Sequence, residues 1–216
     1  MDCKDLHENG KTVSDVYTIY PFGNMDDSVS VYCDMDTMGG GWTAIQKRVA
    51  GSVGFQRKWI KYKEGFGDPN EDTWIGNDVI HQLTKEKKTS LYISITLQND
   101  TTLYELYEQF SVASETDNYR LFLAGKATGT LGDRMMNIPY TAYTLNKMSF
   151  STFDRDNDNK QDGKCANRHK GGWWFNDCYY AFLNGPWSFR NWTDPWSPKV
   201  TSGTQVKKTM MMVKRV

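Results

Sequence analysis

Hydrophobic and polar residues alternate along three segments in the middle of the chain. The apolar positions are Leu91, Ile93, Ile95 and Leu97 in the first segment, Tyr104, Leu106, Phe110 and Val112 in the second, and Tyr119, Leu121 and Leu123 in the third. A period of two puts alternate side chains on opposite faces of a strand, so this pattern predicts three half-buried antiparallel strands. A further apolar run at 208–213 predicts one last strand.

Two shorter segments carry apolar residues at helical spacing. The first segment has Phe55, Trp59 and Tyr62, and the second has Val79, Ile80 and Leu83. This spacing predicts two short helices that end near Gly65 and Lys85, the second capped by Asn77 or Asp78. Residues 28–33 alternate as a strand does, and the glycine-rich turn after them predicts a hairpin.

After Gly125 the periodic pattern gives way to a segment rich in Gly, Asn, Asp and Pro that lasts to about residue 204. Such a long irregular segment is unusual in a compact domain unless a metal ion or a disulfide holds it. The order of helices and strands predicts an α+β fold with an irregular functional lobe late in the chain.

The charge of the chain is balanced. Its 216 residues include 26 basic and 26 acidic side chains, so the formal net charge is zero. This excludes the electrostatic footprint of a protein that binds nucleic acid or an anionic membrane. The apolar runs are far shorter than the roughly 20 residues that span a bilayer, and the first five residues are too charged for a signal peptide. We therefore expect neither nucleic-acid binding nor membrane insertion.

Cysteine usage points to an oxidising compartment. The four cysteines, Cys3, Cys33, Cys165 and Cys178, form no C-x-x-C pair, and the chain has only three histidines. This pattern fits two disulfides better than a zinc site, and we expect a secreted protein. Two sequons, at Asn99 and Asn191, permit N-glycosylation in that compartment, although such triplets also arise by chance.

A cluster of aspartates, Asp154, Asp156, Asp158 and Asp162, precedes Cys165. Such carboxylates repel one another unless the loop surrounds a cation, and calcium accepts six to eight oxygens in flexible geometry. The spacing resembles an EF-hand, but Asn159 and Cys165 stand where that loop needs Gly and Glu. A calcium loop of another type is predicted, and the alternative is a solvated acidic turn balanced by Arg155, Lys160 and Lys164.

Aromatic residues are concentrated after the aspartates, where 173–196 holds five of the eight tryptophans. They suit either the wall of a binding pocket or the core of a lobe that has few strands. For Trp173 and Trp174 the core interpretation is favoured, whereas His169 and Tyr179 are as consistent with a pocket as with a structural role. No phosphate-binding loop, metalloprotease motif or nucleophile elbow is complete, so we expect no enzyme activity.

The sequence resembles the fibrinogen-related domains of fibrinogen chains, ficolins, tachylectins, angiopoietins and tenascins. The matching motifs lie at 16–21, 31–35, 39–43, 62–67, 74–78, 117–121, 150–158, 165–166, 171–175, 178 and 183–185. The resemblance implies a single domain over 1–216, with three lobes around a twisted antiparallel sheet. Its approximate lobes are an N-terminal one at 1–46, a central sheet at 47–124 plus 205–216, and a loop-rich calcium and ligand lobe at 125–204.

The resemblance also implies the site. The disulfides would be Cys3–Cys33 and Cys165–Cys178, and a cis peptide bond would join Asp177 to Cys178. Calcium would bind the side chains of Asp156 and Asp158, backbone carbonyls such as those of Lys160 and Asp162, and Asp154 through water. The ligand-binding residues would be His169, Trp173, Asp177, Cys178, Tyr179 and Trp192.

The resemblance implies two possible functions. The first is that of a secreted, calcium-binding lectin that binds acetylated sugars such as N-acetylglucosamine in innate immune recognition. A single shallow pocket binds weakly, so the full-length protein would be a homo-oligomer. The alternative is a protein-interaction module that binds a peptide or receptor through the same lobe. Departures from the lectin pattern favour this alternative. Lectin members have tyrosine at the position of His169 and histidine at the position of Tyr179, and the segment 186–196 lacks their usual tyrosines.

Overall fold

A computed structural model describes residues 1–24, 26–86, 88–187, 194–201 and 203–216 of the protein. Its helices are α1 (Cys3–Glu8), α2 (Trp59–Glu64), α3 (Asn77–Thr84) and α4 (Cys165–His169). Its strands are β1 (Asp15–Ile19), β2 (Val29–Asp34), β3 (Trp42–Arg48), β4 (Phe66–Gly67), β5 (Thr73–Trp74), β6 (Thr89–Leu97), β7 (Thr102–Val112), β8 (Leu121–Gly129) and β9 (Val206–Arg215). Within these ranges, no helix is long and apolar enough to cross a bilayer.

The strands form one antiparallel sheet in the order β1-β2-β3-β9-β6-β7-β8, and the short β4–β5 hairpin joins it along β3. The last strand lies in the middle, where Val213 pairs with Thr43 of β3 on one side and with Leu91 of β6 on the other. The C-terminal segment therefore connects the N-terminal hairpin to the central strands, and the predicted return of the last strand to the sheet is confirmed.

The α+β class and most predicted elements are confirmed. Strands β6 and β7 and helix α3 lie where periodicity predicts them, although the N-cap of α3 is Gly76 and not Asn77 or Asp78. Helix α2 begins at Trp59, so Phe55 precedes the helix that was predicted to include it. Tyr119 precedes its predicted strand, because its backbone is left-handed with φ of 50° and β8 begins at Leu121. Helix α1 was not predicted from the sequence. Its start is marked by a capping box, in which the side chains of Asp2 and Asp5 each accept the other's backbone N–H.

The main core lies on one face of the sheet, beneath α2, α3 and the late lobe. A smaller cluster covers the opposite face and comprises Trp42, Ala44, Tyr92, Met210 and Met212. Lys214 lies over the Trp42 ring, with its ammonium 5.0 Å from the ring centroid. The apolar stem of this lysine helps to shield the cluster from water.

The late lobe is joined to the sheet by buried polar contacts. The fully buried side chain of Gln46 donates to the Leu183 carbonyl at 3.1 Å, and the buried guanidinium of Arg48 donates to the carbonyls of Leu183 and Gly185. Because buried donors and acceptors left unpaired are costly, these contacts fix the lobe on β3. The lobe boundaries proposed at 46, 124 and 204 stay predictions.

Candidate functional site

A disulfide encloses the part of the late lobe that carries the predicted site. Cys165 opens α4 and is bonded to Cys178, while a second disulfide joins Cys3 to Cys33, so both predicted pairings are confirmed. The peptide bond between Asp177 and Cys178 is cis, as the resemblance implies. The short helix thus brings Arg168 and His169 next to the segment that follows Cys178.

The adjacent rings of Trp173, Trp174 and Phe175 are all completely buried. Trp174 donates its indole N–H to the Tyr119 carbonyl at 2.8 Å, whereas the buried indole N–H of Trp173 has no hydrogen-bond partner among the described residues. A side chain without solvent exposure does not reach a ligand at the surface. Trp173 therefore belongs to the core, which corrects its assignment as a ligand-binding residue.

Next to the disulfide lies an open pocket of about 320 Å³. Four predicted ligand-binding residues line it, namely His169, Asp177, Cys178 and Tyr179. It is also lined by Tyr143, Lys160, Arg168, Tyr180, Asp194 and Ser197. Trp192, the remaining prediction, lies outside the described residues.

His169 and Tyr179, whose positions are exchanged relative to the lectin pattern, are in contact in this pocket. The Tyr179 hydroxyl lies 3.3 Å from Nδ1 of His169, and the two rings are edge-to-face with centroids 4.8 Å apart. Burial, together with the positive charges of Arg168 and Lys160, lowers the pKa of His169 to about 4. The imidazole is therefore neutral at physiological pH, and this pair contributes polar but uncharged atoms to the pocket.

The acidic loop is tied directly to the pocket wall. Lys160 donates to the Asp177 carboxylate at 2.9 Å, and the side-chain amide of Asn159 donates to Oδ1 of Asn176 at the same distance. These contacts hold the end of the aspartate cluster against the segment that carries the cis bond. A change in the loop conformation would therefore be transmitted to the pocket.

The four aspartates of the loop differ in their contacts. Oδ1 of Asp154 accepts the backbone N–H of Trp59 at 2.9 Å and the Thr152 hydroxyl at 2.7 Å, so it caps α2 at a position where Lys58 provides no side-chain cap. Asp162 is exposed. Asp154 thus has a structural role that its place in the cluster does not reveal.

Asp156 and Asp158 are carboxylates of the loop that interact with each other. The Asp158 side chain accepts the N–H groups of Lys160 at 3.0 Å and Cys165 at 2.9 Å. Burial raises the pKa of Asp158 to about 6, with a further contribution from the negative charge of Asp156, although the two N–H groups oppose the shift. A pair of carboxylates that disfavour each other's charge fits a cation-binding position.

Calcium fits this pair only if other ligands complete its shell. Within the described ranges there is no group of three or more His, Cys, Asp or Glu side chains that could hold a metal ion. Calcium also accepts backbone carbonyls and water, and the carbonyl oxygens of Lys160 and Asp162 accept no hydrogen bond from the described part of the chain. These two carbonyl oxygens are therefore not used by backbone hydrogen bonds within the described residues, and the predicted ligand set stays a prediction.

Sequence reasoning missed Tyr143, Arg168, Tyr180, Asp194 and Ser197 as pocket residues. Arg168 and Tyr180 are direct neighbours of His169 and Tyr179, so adjacency was an available signal. Tyr143 comes from a turn far upstream, at Thr141–Tyr143, and packs on Tyr180 with ring centroids 4.7 Å apart. Only the folded structure brings this turn to the pocket.

The comparisons with known proteins agree with this geometry. The family model for the C-terminal globular domain of the fibrinogen beta and gamma chains matches residues 1–215. Human fibroleukin is 44% identical over 85% of this chain and 41% of its own length, and mouse angiopoietin-1 is 42% identical over 85% of this chain and 35% of its own length. The aligned part is therefore less than half of either relative.

Solved structures are similar across almost the whole chain. The fibrinogen-like globe domain of human ANGPTL6 superposes with a TM-score of 0.88 at 32% identity, covering 100% of this chain and 95% of that one. Lamprey fibrin D-dimer, solved with the peptide ligand Gly-His-Arg-Pro-amide, gives a TM-score of 0.85 at 32% identity, over 98% of this chain and 72% of that one. The protein belongs to the family of the fibrinogen C-terminal globular domain.

Proposed function

We propose that this protein is an extracellular recognition module that binds a peptide segment of a partner protein in the pocket beside Cys178. The observation that carries the proposal is the chemistry of the pocket lining. Charged groups of both signs, neutral polar groups and tyrosine rings converge there in about 320 Å³. Such a mixture suits a peptide, which brings amides, charges and apolar side chains together.

The backbone next to the disulfide supports a peptide ligand. The N–H groups of Cys178 and Tyr180 donate to no acceptor among the described residues. Unpaired donors beside a pocket are well placed to bind carbonyl oxygens, which every peptide presents. The lamprey fibrin structure, which holds a peptide ligand and is 32% identical to this chain, provides a precedent within the family.

The charges would select among peptides. Lys160 and Asp177 neutralise each other at 2.9 Å, whereas the exposed guanidinium of Arg168 forms no ion pair with any described residue. Arginine forms bidentate hydrogen bonds with carboxylates, so Arg168 would favour a peptide with an acidic group. Two disulfides fit an extracellular location, and calcium at Asp156 and Asp158 would hold the loop against the wall.

The proposal is tested by panning a random heptapeptide phage library on the immobilised protein in calcium buffer. A synthetic peptide with the enriched sequence is then titrated by calorimetry. We expect Arg168→Gln to weaken binding about 10-fold, which corresponds to about 1.4 kcal/mol. Lys170→Gln is the matched control, because Lys170 is an exposed cation two positions away that does not line the pocket.

The same experiment separates the peptide from an acetylated sugar. N-acetylglucosamine is added as a competitor and is also titrated alone, with glucose as its control. Saturable binding of N-acetylglucosamine combined with no enriched peptide would favour the lectin interpretation. Peptides that bind equally well to the parent, the Arg168→Gln variant and a Tyr179→Ala variant would show that the pocket is not the docking site.

A further inference from the structure

A second cavity of about 290 Å³ adjoins the pocket beside Cys178, and its lining has a different character. Its walls are the apolar side chains of Ile138, Pro139 and Pro198 and the rings of Tyr140 and Tyr180. Arg134 is its only charged residue among those described. We call it the apolar subsite.

The guanidinium of Arg134 is used within the protein. It donates to the Ser197 carbonyl at 2.7 Å and to the Asp133 carbonyl at 2.8 Å. These bonds hold the 197–198 turn against the segment that follows β8. The arginine therefore supports the wall of the subsite, and the surface offered to a ligand remains largely apolar.

The apolar subsite is continuous with the pocket. Tyr180 and Ser197 line both cavities. The Tyr180 ring packs on Tyr143, which lines only the pocket, at 4.7 Å between centroids, and on Tyr140, which lines only the subsite, at 6.2 Å. Tyr180 is therefore part of the wall of both the polar pocket and the apolar subsite.

The ring that the two cavities share sets the size of a ligand that would occupy both. Ligand groups that contacted the two faces of this ring would be about 7–8 Å apart, because each van der Waals contact is about 3.5–4.0 Å. Side chains two residues apart on an extended strand are separated by about 7 Å and point to the same side. Residues i and i+2 of a strand can therefore enter the two cavities together.

We propose that the ligand is an extended peptide with an acidic or polar residue in the pocket and a bulky apolar residue, two positions away, in the apolar subsite. This inference rests on the proposed function and names its specificity. Tyr140, which is 65% exposed, would be covered by the apolar side chain. A sugar ring fits less well, because its hydroxyl groups would lose water without finding partners on this wall.

The test begins with the peptides enriched from the heptapeptide library. The inference requires a consensus with an apolar residue two positions from the acidic or polar one. Replacing that apolar residue by alanine should weaken binding to the parent protein about 10-fold. This peptide-side change requires no protein variant, so it does not depend on how a variant folds.

The protein-side change is Tyr140→Ser, which should weaken binding of the consensus peptide about 10-fold and leave binding of its alanine version unchanged. Phe122→Ser is the matched control, since Phe122 is an exposed aromatic residue on β8 that lines neither cavity. Unchanged melting temperatures would show that both variants are folded. If Tyr140→Ser and the alanine peptide together weaken binding no more than either change alone, the Tyr140 ring and the apolar side chain of the peptide are in direct contact.

Two negative results have different meanings. If no peptide is enriched, the proposed function fails, and this inference fails with it. If peptides bind and depend on Arg168, but show no apolar preference at the second position and bind Tyr140→Ser normally, the proposed function stands and the apolar subsite is overturned.

Discussion

The hydroxyl of Tyr62 accepts the backbone N–H of Gly172 at 2.9 Å and donates to the Phe55 carbonyl at 2.7 Å. Tyr62 lies on α2 and is completely buried, while Gly172 immediately precedes the buried tryptophan pair. A Cβ atom built on Gly172 would lie 2.6 Å from the Tyr62 ring, so the close approach requires glycine. This contact joins the central lobe to the lobe that carries the pocket.

The first prediction concerns this contact. Tyr62→Phe removes the hydroxyl and leaves the buried Gly172 N–H without a partner, whereas the Phe55 carbonyl still accepts the Arg57 N–H. An unsatisfied buried group costs about 1–3 kcal/mol, so the free energy of unfolding should fall by that amount in a urea titration. Tyr92→Phe is the control, because the Tyr92 hydroxyl bonds to no described residue, and it should change stability by less than about 0.5 kcal/mol. Equal losses in both variants would contradict the proposed role of the contact.

The second prediction separates the capping role of Asp154 from metal binding. Asp154→Ala removes the acceptor of the Trp59 N–H at the start of α2. Loss of a helix cap costs about 1 kcal/mol, and this loss should be seen in EDTA as well as in calcium. Asp162→Ala, at an exposed position of the same loop, is the control and should be neutral in EDTA. A loss that appears only in calcium would instead make Asp154 a metal ligand.

The third prediction tests calcium at the Asp156–Asp158 pair. A ligand that binds only the native state stabilises it, by about 2.7 kcal/mol at a hundred times its dissociation constant. Calcium chloride should therefore raise the melting temperature of the parent protein relative to EDTA. The Asp156→Asn and Asp158→Asn double variant should lose this response. Its stability in EDTA is the baseline for this comparison, because Asn at position 158 has one acceptor oxygen where the two carboxylate oxygens of Asp158 accept the N–H groups of Lys160 and Cys165. An unchanged melting temperature of the parent would remove the calcium proposal.

The contrast between Asp154 and its neighbours shows how far sequence reasoning reaches. Composition and spacing identify the aspartate cluster, but they do not show that Asp154 caps a helix that begins at Trp59, 95 residues earlier. The strands and helices are predictable because their signal is local periodicity. The pocket is only partly predictable, since Tyr143 reaches it through tertiary folding. Trp173 is buried, as the pattern of aromatic residues favoured, although the resemblance implied a ligand-binding role for it.

The fourth prediction concerns glycosylation at Asn99. This residue is exposed in the turn between β6 and β7, and its side chain accepts the Thr101 N–H at 3.1 Å. Exposed turns are accessible to the glycosylation machinery of the secretory pathway. Secreted from eukaryotic cells as an Asn191→Gln variant, the protein should carry one N-linked glycan that glycosidase treatment removes. Thr101→Ser should retain the glycan and Thr101→Val should lose it, and equal masses for the two would contradict Asn99 as the acceptor.

The fifth prediction uses the titration of His169. Its folded pKa of about 4 lies below the ordinary value of 6.5, so the native state binds fewer protons than the unfolded state between these two values. The free energy of unfolding should therefore fall as the pH is lowered from about 6.5 to about 4, because protons favour the unfolded state. Replacing His169 with Gln removes this contribution. As the pH falls from about 6.5 to about 4, the free energy of unfolding of the parent should therefore decrease more than that of the variant.

Comparing the two proteins at each pH isolates His169, because every other titrating group is common to both. Asp158 titrates in the same range with the opposite sign, since its raised pKa makes the native state bind more protons. Its effect cancels in the difference only if His169→Gln leaves the acidic loop unchanged, so the calcium response of the variant must match that of the parent. A difference in stability that stays constant from pH 7 to pH 4 would mean that His169 is not held neutral by burial. In that case a charged imidazole, rather than a neutral pair with Tyr179, would face the ligand at mildly acidic pH.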